Sequence, residues 1–346
     1  MIRERLQHEQ GDRRSDPYAD LEPSDDPPAW LRRLHHDTTA SGSPALQSRR
    51  AGSGVLTITE PNELSAPPGV LKSATSAKRQ RNLLHEARVL ALVARSCPQA
   101  QGLTPRLLGL WRVGPPDTLY ILTTTLPGTT LADLPDVRTP ELSSDISRLI
   151  DALHSLERPV GLTNEGVDIE CWQKHASAEL TRYADLLASH GHTAAANILR
   201  RFREVPIDQS GGHRLVHRDL SRSNLIIDHR CGHVAVLACD FASSFFAPRL
   251  WDLAGAELFL FPTRPDLRAP LRSQFEQIAG DRCAKQTLCL AIWQVCRLYA
   301  AAHRRADATA TRRIAHALST ADIGRGPQVT ACYRRAAMLG DQLRCP

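Results

Sequence analysis

The stretch from Val216 to Ala254 constrains the chain more than any other. It reads V-H-R-D-L-S-R-S-N-L-I-I-D, then a short polar turn, then A-C-D-F-A, and then W-D-L-A. Leu225 to Ile227 and Val234 to Cys239 are apolar, partly β-branched runs, and the polar turn from Asp228 to His233 between them predicts a hairpin. Asn224 stands at the start of the first predicted strand and Asp240 at the end of the second. Antiparallel pairing would bring those two positions side by side. Asp219 precedes Asn224 by five residues, and Asp252 follows Asp240 by twelve.

Side chains of this kind, in this order, suit phosphoryl transfer. That reaction needs a carboxylate to orient a hydroxyl and two oxygen ligands to hold magnesium. Asp219 would be the base, and Asn224 and Asp240 the metal ligands. The pattern H-R-D-x-x-x-x-N followed by D-F resembles the protein-kinase-like superfamily. Within it the chain resembles the aminoglycoside phosphotransferase and choline kinase branch. Ser221 stands two residues after Asp219, where Ser/Thr protein kinases carry lysine. No A-P-E follows, and the short interval from Asp240 to Asp252 leaves no room for a segment that seats a peptide. A compact acceptor is therefore implied.

The resemblance implies an α+β, bilobal protein-kinase-like fold. A small antiparallel-sheet lobe would span residues 43–125 and a larger helical lobe residues 126–346. It implies ATP and Mg2+ as cofactors, and it implies that His217 and Asp252 hold the catalytic loop in shape. There are departures from the branch. Ala242 replaces the glycine of D-F-G, Arg218 stands where the branch usually has glycine, and Pro248 replaces an acid often found four residues before Asp252.

Upstream, Gly69 to Lys72 reads as a strand ending in a lysine, and Ala77 to Ala94 as a helix. Leu83 and Leu90 recur at helical spacing and place Glu86 on the apolar face. A carboxylate there needs a partner. Lys72 is the obvious one, in the order and separation of the Lys–Glu pair that grips the α- and β-phosphates in kinases. Gly52 and Gly54 lie in a turn before the strand-like Val55 to Thr59. Such a turn can lay backbone N–H groups over phosphates, and a plain hairpin turn explains it as well. Leu107 to Val113 and Leu119 to Thr123 read as a second hairpin, leading into T-T-L-P-G. That run resembles the hinge of the branch, whose backbone, here at Thr124 and Leu126, would offer an amide and a carbonyl to the adenine edge. A simple exit from strand to loop accounts for the same residues.

The remainder reads as helical. Ile146 to Leu156 is followed by two amphipathic stretches between Trp172 and Phe202 that break at Gly191, and further helices are expected at about 271–278, 285–303 and 309–318. Residues 1–42 are polar and rich in Asp, Arg and Pro, and a disordered or loosely attached tail is expected. A helical turn beginning at Asp26, with Trp30 and Leu31 docked, is the alternative.

At 346 residues the chain is long enough for one large or two small domains, and its charge of +6 is compatible with anionic ligands such as nucleotides. No RNP motif, zinc finger or aromatic-basic ladder points to nucleic acid. The nine cysteines lack C-x-x-C spacing. With no secretory signal at the start and no apolar run of about twenty residues, a cytoplasmic protein without a membrane span is expected. From Gly255 onward, fourteen Arg and Lys stand against seven Asp and Glu, a balance that disfavours a polycationic acceptor. The expected partner is a small-molecule hydroxyl compound that is neutral, singly charged or anionic. The competing classes are a pseudokinase-type regulatory module and, on weaker grounds, a protein kinase. The oligomeric state is open.

Overall fold

The structure is a computed structural model. It describes residues 21–41, 47–50, 53–58, 68–115, 117–134, 141–157, 169–202, 213–229 and 234–256, with further positions scattered between 260 and 312. These form two compact units. The first is built from the described residues up to Pro127, joined by Cys239–Ser244. The second holds the described residues from Gly128 to Glu157, those from 169 to Ala238, and those from Phe245 onward. No helix among the described residues is long and apolar enough to cross a membrane.

The first unit is a five-stranded antiparallel sheet of β1 (Gln47–Arg50), β2 (Ser53–Ile58), β3 (Gly69–Ala74), β4 (Leu107–Val113) and β5 (Thr118–Thr123), in the order β1-β2-β3-β5-β4. All six residues of β5 are buried, because each face of the sheet is covered by a helix. Side chains alternate across a strand. Leu119 and Ile121 therefore join Ala74 and Leu110 in one cluster, with Leu83 and Ala87 of helix α2 (Ala77–Ser96). Tyr120 and Leu122 join Leu71 and Val113 in the other, with Trp30, Leu31 and Leu34 of helix α1 (Ala29–Ser41).

The loosely attached tail expected for residues 1–42 is therefore corrected over residues 21–41; residues 1–20 and 42 lie outside the described residues. Helix α1 begins where Leu31 and Arg32 donate their N–H groups to the Pro28 carbonyl. Its three apolar side chains are buried, Leu31 completely. Each contributes about 1.5–3 kcal/mol of transfer free energy, enough to outweigh the polar composition of the segment. Trp30 meets Trp111 edge to face at 6.0 Å. His35 donates from Nε2 to the Pro115 carbonyl (3.4 Å) and accepts the Tyr120 hydroxyl at Nδ1 (3.0 Å). Ahead of the helix, Ser24 pairs in parallel with Trp111 on the outer edge of β4, which covers part of an edge that would otherwise offer unpaired backbone groups.

The second unit contains β6 (Thr129–Thr130), α3 (Glu141–His154), α4 (Ile169–Ser189), α5 (Thr193–Phe202), β7 (His213–Val216), β8 (Leu225–Asp228), β9 (Ala235–Ala238), β10 (Phe245–Pro248) and α6 (Leu250–Gly255). Leu142, Ile146, Leu149, Ile150 and Leu153 form the buried stripe of α3 at the spacing of an amphipathic helix. Between α4 and α5, Gly191 has φ +79°. The His192 N–H donates to Leu187 O and the Gly191 N–H to Ala188 O, the pattern of a glycine helix end. Gly128, at φ +108°, lies so close to β8 that a Cβ would stand 2.2 Å from the Ile227 carbonyl oxygen. The expected hairpin is present, with β8 and β9 antiparallel and Leu225 opposite Ala238. A further pair, β7 with β10, had no counterpart in the sequence reading. The helices expected beyond 270 fall largely outside the described residues.

Candidate active site

In the first unit, β3 and α2 converge on one cation. Lys72 Nζ donates to both oxygens of Glu86, at 2.7 and 2.9 Å, and to Asp240 Oδ1 at 3.3 Å. Lys72 faces α2 because it alternates with Leu71, which points to α1. Glu86 is on the buried face of α2 and is 2% exposed. Burial pushes the Glu86 carboxyl up from its usual range; Lys72 opposes this shift and Asp240 adds to it. Burial works to lower the Lys72 ammonium, but Glu86 and Asp240 outweigh it and hold Lys72 above the ordinary lysine value. Lys72 and Glu86 therefore depend on each other: the ammonium opposes the shift that burial imposes on the carboxyl, and the carboxyl helps to hold the ammonium charged.

Asp240 has φ +66°, a left-handed conformation that costs a non-glycine residue about 1–2 kcal/mol. The turn that follows, Phe241–Ser243, is tied to α2. The Phe241 N–H donates to Glu86 Oε1 at 3.3 Å, and His85 Nε2 lies 2.5 Å from the Ser244 carbonyl oxygen.

In the second unit the loop after β7 is organised by Asp252, on α6. Asp252 Oδ2 accepts the His217 N–H at 2.9 Å, and Oδ1 accepts the Arg218 N–H at 3.0 Å. His154, at the end of α3, stands 3.3 Å from Oδ2. The carboxylate is 1% exposed, so these donors replace the water it has lost. His217 Nδ1 accepts the Asp219 N–H at 3.4 Å. Asn224 Nδ2 donates to the Asp219 carbonyl at 2.8 Å, which sets the orientation of the amide. Arg222 reaches from the same loop to the carbonyls of Leu131 and Leu134.

Arg218 takes the position where a glycine is usual in the branch the sequence resembles, and it keeps a glycine-like backbone, φ +67°. Its guanidinium lies over the rings of Phe245 (4.8 Å) and Trp251 (5.8 Å). Burial, and then the neighbouring charge of Arg297, push it down to about 10. Trp251 in turn meets Trp293 edge to face, and Trp293 Nε1 donates to Glu179 Oε2 at 2.7 Å. Arg249, just before α6, stands 3.7 Å from Asp151.

The residues singled out in the sequence thus fall into two groups. Lys72, Glu86 and Asp240 meet in the first unit, and His217, Asp219, Asn224 and Asp252 are linked by hydrogen bonds in the second. Asn224 directly precedes β8 and Asp240 follows β9 by two residues. Thr124 donates its N–H to the Arg106 carbonyl (2.9 Å), and its hydroxyl accepts the Arg106 N–H (2.9 Å). Gly54 lies within β2 opposite Ser73; Gly52 is outside the described residues. Among the described residues no three His, Cys, Asp or Glu side chains converge as a metal site. The sequence reading missed the parts played by His85, His154, Arg218 and Arg222. Nothing in their spacing marks them, except that Arg218 sits within H-R-D.

The sequence model of a family described as the phosphotransferase enzyme family matches residues 59–286. No curated protein matches the chain in sequence. Among solved structures, a thermostable mutant of aminoglycoside phosphotransferase APH(4)-Ia, in complex with ADP and hygromycin B, is 15% identical. That match covers 85% of this chain and 99% of the other, with a TM-score of 0.56. The GDP and kanamycin complex of another aminoglycoside phosphotransferase is 13% identical, over 83% of this chain and 97% of the other, with a TM-score of 0.60. Aminoglycoside 2'-phosphotransferase-IIIa, in complex with GDP, is 10% identical, over 84% and 99%, with a TM-score of 0.57. Likeness at these identities establishes the fold, the α+β protein-kinase-like one expected from the sequence.

Proposed function

The chain belongs to the phosphotransferase enzyme family, and from that premise we propose that it transfers the γ-phosphate of ATP to a hydroxyl group of a small molecule. The observation that carries this reading is the Lys72 ammonium between Glu86 and Asp240, two carboxylates that lie 14 and 168 residues away in the chain. A buried lysine held charged by two acids is a fixed cation suited to phosphate oxygens.

The roles follow from the geometry around each side chain. Lys72, braced by Glu86, would position the α- and β-phosphates. Asp219 would accept a hydrogen bond from the acceptor hydroxyl and take its proton late. Its main chain is held by His217 and Asn224, which fixes where the carboxylate starts. His217 and Asp252 would keep the loop in shape without touching the reacting atoms. Thr124 has its N–H engaged by Arg106, so it would present its carbonyl to the adenine edge and Leu126 its amide. Gly52 and Gly54 would lie beside the phosphates.

Asn224 and Asp240 supply hard oxygen donors of the type magnesium takes, and a site with few protein ligands suits an ion that shares its coordination with phosphates and water. Bound there, Mg2+ would neutralise charge on the β- and γ-phosphates.

The acceptor is proposed to be compact and not a polycation, because basic residues predominate two to one after Gly255. Cytoplasmic location fits such a substrate. Coupled release of ADP, measured with magnesium over a panel of sugars, amino alcohols, anionic metabolites and aminoglycosides, tests the reading. Two of the similar structures hold GDP, so GTP belongs in the assay beside ATP. Acceptor-dependent turnover is expected. Absence of both nucleotide binding and turnover would overturn the proposal. Phosphorylation of peptides alone would favour a protein kinase.

A further inference from the structure

Helix α2 grips the turn after Asp240 at both ends, through two consecutive side chains. Glu86 Oε1 accepts the Phe241 N–H at the start of the turn. His85 reaches its end, where Nε2 lies 2.5 Å from the Ser244 carbonyl oxygen. A carbonyl can only accept, so Nε2 carries the proton and donates. Between these anchors Phe241–Ser243 form a single turn, closed by the Ser244 N–H to Phe241 O at 3.0 Å. Phe241 and Ser244 are buried, so the backbone groups of this turn are costly to leave unsatisfied.

Asp240 sits immediately before the turn in the left-handed conformation. A non-glycine residue persists there only where its surroundings over-determine it. Lys72 holds the side chain of Asp240, but a side-chain contact does not fix φ and ψ. The main chain next to Asp240 is held by Glu86 on one side of the turn and His85 on the other. Glu86 already has a function on Lys72. His85 has none in the proposed mechanism.

We propose that His85 is a positioning residue for Asp240: by pinning the Ser244 carbonyl it holds the turn that sets the direction of the Asp240 carboxylate. The effect on metal binding rests on the reading of Asp240 as a magnesium ligand. The effect on the turn does not.

The test compares His85→Ala and His85→Leu, which remove the donor, with His85→Gln, which keeps one. Hydrogen exchange is measured first on the protein without nucleotide. Exchange at residues 240–245 is expected to rise about threefold to tenfold in the Ala and Leu variants, the scale of one hydrogen bond. The Gln variant should recover part of the protection, and the β3–β5 ladder should keep its own. The Leu variant preserves bulk and decides the matter if the Ala variant does not fold. Calorimetry then measures nucleotide affinity with and without magnesium. The magnesium concentration for half-maximal binding should rise by a similar factor in the Ala and Leu variants, with metal-free affinity unchanged. Unaltered exchange at 240–245 would overturn the proposal. So would raised exchange with an unaltered magnesium requirement, which would make His85 a structural residue only. Failure of the unaltered protein to bind nucleotide at all would sink the functional reading, and is told apart because the exchange experiment needs no nucleotide.

Discussion

Leu71 and Lys72 are neighbours in β3 and face opposite ways: Leu71 is buried beneath Trp30, Leu31 and Leu34 of α1, while Lys72 meets Glu86 of α2. One strand therefore carries the packing of the N-terminal helix and the cation of the candidate site on adjacent residues.

This arrangement makes α1 part of the core. Leu31→Ala should destabilise the protein by about 2–5 kcal/mol, as for other fully buried leucines cut to alanine. Deleting residues 21–41 should lower the melting temperature by many degrees and also weaken nucleotide binding through β3. Urea unfolding and nucleotide titration check both. A loss for Leu31→Ala within about 0.5 kcal/mol, the scale of a surface change, would show that the helix is not docked.

Lys72→Met should produce a pH-dependent loss of stability. The Glu86 carboxyl is already raised by burial, and Lys72 opposes that shift. Without the lysine its folded pKa rises further above the unfolded value of about 4.3. A group raised in this way adds stability below its unfolded pKa and loses it as pH climbs through the folded one. The gap between variant and wild type should therefore widen as pH rises above that unfolded value, where Glu86 would have to ionise unpaired. A gap independent of pH in urea unfolding would refute the assignment.

Asp219 and Asp252 should separate chemistry from architecture. Asp219→Asn should fold and bind nucleotide nearly as well as wild type, with turnover reduced at least about a hundredfold. Asp252→Asn should lose stability, on the order of 1–3 kcal/mol, because the amide puts a donor among groups that already donate to the carboxylate. Near-normal turnover of Asp219→Asn, or an unchanged melting temperature of Asp252→Asn, would remove the corresponding role.

The acceptor should not be a polycation. With neutral sugars, anionic metabolites and kanamycin-type compounds compared at low and physiological salt, the aminoglycosides should show the lowest kcat/KM, least so at the higher salt, where screening is stronger. Efficient turnover of an aminoglycoside would overturn this expectation and leave the phosphotransferase reading standing.

What the sequence determined by itself was local. Alternating and β-branched runs were enough for the β8–β9 hairpin and the β4–β5 pair, and the 3.6-residue spacing in α2 was enough to turn Glu86 inward, because these patterns act over a few residues. The buried carboxylate then required a cation, and Lys72 stands 2.7 Å from it. Tertiary structure decided what depends on partners distant in the chain. Residues 21–41 read as tail because their composition is polar, and only the sheet face presented by Leu71, Tyr120 and Leu122 turns three apolar side chains into a docked helix. Phe245–Pro248 became a strand because His213–Val216 offered it an edge. His85 and Arg222 bind main-chain carbonyls 159 and 91 residues away. A carbonyl is common to every residue, so no side-chain pattern in the sequence can announce which one a distant donor will reach; the fold alone chooses it.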